Sequence, residues 1–169
     1  MNRKQLLIAV AAMMLTGIVN AQPYNRYTTF QAALADVDGY DAGIAGVATY
    51  GIRVPEMHKN FAVEGEFAMT FIEPENQAQG WEASYYTLGL YGVYAHPVTD
   101  KFHVRGRLGF VYADAEYNSA TQSVTDDGFE LSYGFGATVG LSKETRFIIE
   151  YTDIGSDLNN ISAGFQFKM

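Results

Sequence analysis

The chain has 169 residues, with 11 Lys and Arg against 19 Asp and Glu, 14% aromatic residues and no cysteine. The missing cysteine excludes disulfide staples, thiol catalysis and thiolate metal sites, and removes the residue a lipoprotein needs directly after its leader. The acidic balance disfavours a bulk nucleic-acid partner, because phosphate backbones are held by Lys and Arg.

Arg3 and Lys4 precede an uncharged stretch from Leu6 to Val19, which ends in the small-residue site Val19-Asn20-Ala21. Charge, apolar run and small residues in that order mark a secretory leader cleaved after Ala21. The run holds 14 residues, short of the roughly 20 that a membrane helix needs. The expectation is a signal peptide over residues 1–21 and one domain over residues 22–169. Two of the 11 basic residues and none of the 19 acidic ones lie in the leader, so the mature chain carries a formal −10.

Beyond the leader no stretch keeps helical spacing. The chain repeats a unit of alternating strand, turn and alternating strand, with Gly, Asp, Asn and Pro at the breaks. Eight strands are predicted, over Thr28 to Ala35, Ala42 to Arg53, Phe61 to Ile72, Tyr85 to Ala95, Phe102 to Ala113, Phe129 to Leu141, Arg146 to Thr152 and Asn160 to Met169. In the third, Phe61, Val63, Gly65, Phe67, Met69 and Phe71 alternate with Ala62, Glu64, Glu66, Ala68 and Thr70. In the fifth, Phe102, Val104, Leu108, Phe110 and Tyr112 alternate with His103, Arg105, Arg107, Gly109 and Val111. The sixth and eighth repeat the pattern, with Phe129, Leu131, Tyr133 and Phe135 on one face of the sixth and Ile161, Ala163, Phe165 and Phe167 on one face of the eighth.

Soluble barrels alternate too, so the decision rests on where bulk and charge fall. Eight strands enclose an interior that side chains just fill, and large Phe, Met and Leu from every strand would overpack it. The aromatic face therefore points outward, which is stable only in lipid, where a closed barrel satisfies every backbone group. The predicted fold is all-β, a membrane-spanning eight-stranded antiparallel up-and-down β-barrel.

The inward face then holds Glu64, Glu66, Glu130 and Glu150 with Arg105, Arg107, Arg146 and Lys168, four acids against four bases. Unpaired, each buried charge would cost several kcal/mol, so a lumen charge network is expected. Glu64 and Glu66 stand three and five residues into their strand, as Arg105 and Arg107 do in theirs, with one strand between. That places each Glu opposite one Arg, about 10 Å apart at the backbone before shear.

The breaks Val54 to Asn60, His96 to Lys101 and Ser142 to Thr145 are mostly short, and Glu73 to Ser84, Asp114 to Gly128 and Asp153 to Asn159 mostly longer, Asp36 to Asp41 being the short exception. Bacterial barrels keep short turns in the periplasm, which places both termini there. Tyr40, Trp81, Tyr85, Tyr86, Tyr112 and Tyr117 are read as an outer aromatic girdle, with Tyr50 and Tyr94 toward the other end. The outer breaks carry many acids and no Lys or Arg, among them Asp36, Asp38, Asp41, Asp126 and Asp127. These are read as weak divalent-cation loops without a dedicated cage; the cluster around Gly39 lacks the spaced Glu of an EF-hand.

The C-terminal Ser162-Ala163-Gly164-Phe165-Gln166-Phe167-Lys168-Met169, with weaker echoes in Gly43-Ile44-Ala45-Gly46 and Leu88-Gly89-Leu90-Tyr91-Gly92, resembles the OmpA-like and OmpX-like porin-family outer-membrane barrels. The resemblance implies that Ser162, Gly164, Phe165, Phe167 and Met169 form an assembly signal, Met169 standing where the family ends in Phe. It also implies insertion by the outer-membrane assembly machinery with periplasmic chaperones.

Lipid A-modifying barrels use a nucleophile with a His near the outer leaflet. Here His58 and His96 fall in inner turns and His103 near the inner end of its strand, so no catalytic residue and no cofactor is assigned. The leading expectation is a closed Gram-negative outer-membrane surface protein serving envelope integrity or adhesion. Its partners would be membrane lipid, lipopolysaccharide and surface or host ligands at its loops. A narrow channel for small solutes or ions is the alternative, and a lipid A-modifying enzyme the least favoured.

Overall fold

Side chains along a strand point alternately to opposite faces, and in this chain the two faces differ sharply enough to close a ring. The computed structural model describes residues 26–37, 39–76, 81–119, 123–155 and 158–169; the leader and its cleavage site lie outside them. The strands are β1 (Arg26–Val37), β2 (Gly43–Arg53), β3 (Phe61–Ile72), β4 (Glu75–Asn76), β5 (Trp81–Pro97), β6 (Phe102–Ser119), β7 (Ser123–Gly140), β8 (Thr145–Ile154) and β9 (Leu158–Lys168). They run β3-β2-β1-β9-β8-β7-β6-β5, and a β3–β5 pairing closes the ring. Every pairing is antiparallel, and the two-residue β4 only adds to β5. The result is the expected closed eight-stranded up-and-down barrel.

The faces fall as the alternation requires. Phe71, Phe110 and Phe129 are 68%, 67% and 79% exposed on the outside, tolerable only against lipid. Small and polar residues such as Thr29, Ala33, Thr49, Ala68, Thr87 and Ser132 are buried in the lumen.

β5, β6 and β7 reach 17, 18 and 18 residues. The described residues of the breaks Glu73 to Ser84 and Asp114 to Gly128 are therefore mostly paired strand rather than loop, with Glu82 opposite Asn118 and Asn118 opposite Ser123. Backbone hydrogen bonds build these arms whatever the side chains. Beyond the membrane belt no apolar face is needed, so the alternation that marks a strand fades there. The third break shrinks likewise, since β8 runs on to Ile154 and β9 starts at Leu158. Projecting arms, rather than connection length, distinguish the two ends: the arm end, and the terminal end carrying Arg26 and Met169.

Gly164 lies at the β1–β9 seam opposite Gln31, where a Cβ would overlap the Phe30 carbonyl oxygen. Any larger residue would hold the first and last strands apart.

Candidate functional site: the charged lumen

β3, β6 and β8 each send charged side chains to mid-lumen. Glu64 and Glu66 come from β3, Arg105 and Arg107 from β6 and Glu150 from β8, and all five are buried. Arg105 Nη2 donates to Glu64 Oε2 at 2.6 Å, and its Nε lies 2.7 Å from Glu150 Oε2. Arg107 grips Glu66 through both terminal nitrogens, Nη2 to Oε1 being 3.1 Å, and its Nη1 lies 3.1 Å from Glu150 Oε1. The expected Glu64–Arg105 and Glu66–Arg107 pairs are thus present, and Glu150 joins them into one cluster.

Sheet register explains the reach. Arg105, Gly136 and Glu150 stand in one row across β6, β7 and β8, and Arg107, Gly134 and Thr152 in the next. The middle residue of each row is glycine, so each arginine crosses β7 unobstructed. A Cβ on Gly134 would sit 2.7 Å from the Tyr151 carbonyl oxygen and 3.0 Å from Arg107 Nε. Arg107 completes its row by donating to Thr152 Oγ1 at 2.5 Å.

The three carboxylates outnumber the two guanidiniums, and neutral donors help hold the excess charge. The Tyr27 hydroxyl donates to Glu64 Oε1 at 2.5 Å, and Thr49 Oγ1 to Glu66 Oε2 at 3.3 Å. The Arg107 guanidinium lies over the Tyr91 ring, 4.1 Å from its centroid, a cation–π contact that strengthens away from water. Tyr91 is itself fixed by a 3.0 Å hydrogen bond with Ser132. These groups meet across the lumen from strands β1, β2, β3, β5, β6 and β8.

Three expected members stand apart. Glu130 is exposed on β7, beside Gly155. Arg146 lies toward the terminal end, its Nη1 2.6 Å from His103 Nδ1, and Lys168 ends β9 on the same side. Parity marked all three as inward but carries no information on depth along the axis. Tyr85 is also corrected, being a buried lumen residue that donates to Asn160 Oδ1 at 3.0 Å rather than an outer girdle member. Tyr27 and Tyr91, which sequence reasoning passed over, share the inward parity of Thr29 and Val93.

Cavities flank the plug. One of about 120 Å³ at the arm end is lined by Tyr85, Tyr117, Asp126, Asp127, Glu130 and Leu158 among others. One of about 100 Å³ at the terminal end is lined by Arg53, Lys59, His103, Arg146 and Gln166 among others, with Arg105 at its floor. Asp36, Asp41, Asp126 and Asp127 are exposed at the arm end, and Asp38 lies outside the described residues. Among the described residues, no three His, Asp or Glu side chains converge as metal ligands. His58 takes a hydrogen bond from the Asn60 amide in its turn, and none of the three histidines pairs with a carboxylate among the described residues. Of the assembly-signal positions, Ser162 and Gly164 face the lumen, while Phe165, Phe167 and Met169 are exposed outside.

A closed antiparallel ring with an apolar outer belt and a charged, packed lumen defines a transmembrane β-barrel. Residues 6–168 match the outer membrane protein beta-barrel domain family, and the chain belongs to it. It is an outer-membrane protein. No curated protein matches the chain in sequence. Among solved structures it is similar to Neisserial surface protein A, with 11% identity and a TM-score of 0.70 over 88% of this chain and 100% of that one. It is similar to the N-terminal barrel of Pseudomonas aeruginosa OprF, with 9% identity and a TM-score of 0.62 over 88% and 100%. The Yersinia pestis attachment invasion locus protein Ail shows 18% identity and a TM-score of 0.54 over 86% and 100%. At these identities the likeness is one of fold.

Proposed function

We propose that this protein is a closed surface scaffold, exported by its leader, that supports envelope integrity and presents acidic arms for adhesion. The observation that carries this reading is the five-membered plug of Glu64, Glu66, Arg105, Arg107 and Glu150 across mid-lumen. The arms face outward and the termini face the periplasm, an orientation supported by the projection of β5, β6 and β7 from the arm end and by the bacterial habit of short periplasmic turns. Assembly uses the terminal signal ending in Met169, with the outer-membrane machinery and periplasmic chaperones as partners.

Ail has been solved with a heparin analogue, sucrose octasulfate. Here the arms carry Asp114, Glu116, Asp126 and Asp127, which suits cationic partners or divalent bridging to lipopolysaccharide better than a sulfated chain. A narrow channel remains the rival, and it requires the plug to move. Planar-bilayer recording on refolded protein separates the two: the scaffold reading expects no stable conductance, and a large, sustained one overturns it. For adhesion, residues 114–128 are replaced by a short turn. Loss of binding to cells or matrix proteins by a barrel that still inserts supports the role, and retained binding removes it.

A further inference from the structure

At the terminal end the outermost inward-facing residues include Arg53 of β2, His103 of β6, Arg146 of β8 and Lys168 of β9, with Lys59 in the turn between β2 and β3. Arg53, His103, Arg146 and Lys59 line the cavity of about 100 Å³ with Gln166, and its described lining contains no Asp or Glu. Arg105, at the floor, is matched by Glu64 and Glu150. The other cations have no such match. The side chains of Arg53, Lys59 and Lys168 have no ion pair among the described residues, while Arg53, Arg146 and Lys168 stand close enough to repel one another. Arg146 commits only Nη1, to His103 Nδ1 at 2.6 Å and Thr138 Oγ1 at 3.4 Å. An arginine only donates, so His103 Nδ1 accepts and the ring proton sits on Nε2.

We propose that this vestibule is a binding site for a phosphoryl group. Several uncompensated cations around one small cavity call for a ligand with more than one negative charge and several acceptor oxygens. A phosphoryl group offers both, and guanidinium forks match its geometry. A lone carboxylate would offset only one of the charges. At about 100 Å³, against the roughly 10–15 Å³ that one water needs, the cavity has room for one phosphoryl group or two linked ones. The group enters as a headgroup or as a free phosphate. Neither the chemistry nor the site depends on which way the barrel inserts.

The test uses full-length mature protein refolded in a phosphate-free glycoside detergent, titrated calorimetrically with inorganic pyrophosphate at low ionic strength. Saturable binding is expected, weakened about tenfold or more in Arg53→Gln and in Arg146→Gln and unchanged in Lys143→Gln, which lies in the exposed turn between β7 and β8. Lys168→Gln serves if either arginine variant fails to refold, and far-UV circular dichroism checks folding. No saturable binding, equal binding by all variants, or the same response to chloride at matched ionic strength overturns the proposal. A second arm adds short-chain phosphatidylglycerol to the micelles. Displacement of pyrophosphate assigns the site to a lipid headgroup, and undisturbed binding assigns it to a soluble phosphate.

Discussion

Arg105 meets Glu64 at 2.6 Å across the width of β5, and the same arginine holds Glu150 at 2.7 Å on the other side. The pair is buried, so removing one partner strands the other; such losses run to about 3–5 kcal/mol. The two residues are not equivalent, because Glu64→Ala leaves Arg105 with Glu150, whereas Arg105→Ala weakens two carboxylates at once, leaving Glu64 with the Tyr27 hydroxyl and Glu150 with Arg107. Arg105→Ala is expected to destabilise more than Glu64→Ala, and the double variant less than the sum. A double-mutant cycle by denaturant unfolding of refolded protein reads this directly, and additive losses would show that the residues are not partners.

The glycine rows across β7 give a second test with a built-in control. In Gly134→Ala the new Cβ meets the Tyr151 carbonyl and Arg107, and in Gly136→Ala it meets the Ile149 carbonyl and Glu150. Overpacking of this kind costs about 1–3 kcal/mol. Gly65 faces outward with nothing within 4 Å of a Cβ and no positive φ, so Gly65→Ala should be neutral or stabilise by about 0.4–1 kcal/mol. Thermal unfolding of the three variants should rank them in that order; equal losses at Gly65 and Gly134 would remove the glycine-corridor account.

The barrel was legible because lipid makes alternation extreme: Phe61 to Phe71 against Glu64 and Glu66 leaves only one parity able to face outward. The Glu64–Arg105 and Glu66–Arg107 pairs were legible too, since equal offsets in strands separated by one neighbour bring side chains within reach. Parity also placed Glu150 in the lumen, but its offset in the strand from Arg146 to Thr152 matches neither arginine, so its role in joining the two pairs was not legible. Depth along the axis was not legible, because a residue's parity is identical at the plug and at the rim; that is why Glu130, Arg146 and Lys168 were grouped with the plug. Nor were the arms. Asp114 to Gly128 has the Asp, Asn, Ser and Gly content of a loop, and its pairing with neighbouring strands rests on backbone bonds that composition does not report.

Gly164 and Met169 test the terminal segment in two ways. Gly164→Ala places a Cβ against the Phe30 carbonyl at the closing seam, so refolding yield in detergent should fall sharply. Met169→Phe changes only an exposed side chain, 47% accessible, and supplies the aromatic end that the proposed assembly signal calls for. Its stability should stay within about 0.5 kcal/mol of the parent, while insertion by reconstituted assembly machinery should be faster. A change in stability without a change in insertion rate would place the role of Met169 in packing rather than recognition.

Asp114 stands directly opposite Asp127 across β6 and β7, with Asp126 beside them opposite Ala115. Like charges in such a cross-strand pair destabilise a sheet. Tyrosine hydroxyls relieve part of this: Tyr86 donates to Asp114 Oδ2 and Tyr112 to Asp127 Oδ2, each at 2.9 Å. Asp127 remains exposed, and at a lipopolysaccharide surface the arm adds to a field that is already negative. Ca²⁺ or Mg²⁺ at millimolar concentration should therefore stabilise the arm weakly and in a salt-dependent way, as open oxygen sites without a full ligand set do. Asp127→Asn removes the like-charge pair while keeping an acceptor for Tyr112, so it should slow amide exchange along β6 and β7 without divalent ions and reduce the further gain on adding them. Hydrogen exchange of both proteins in lipopolysaccharide-containing bilayers, with and without Ca²⁺ at low salt, checks this. If the ion protects the two arms equally in the parent and in Asp127→Asn, the bridging account fails at this pair.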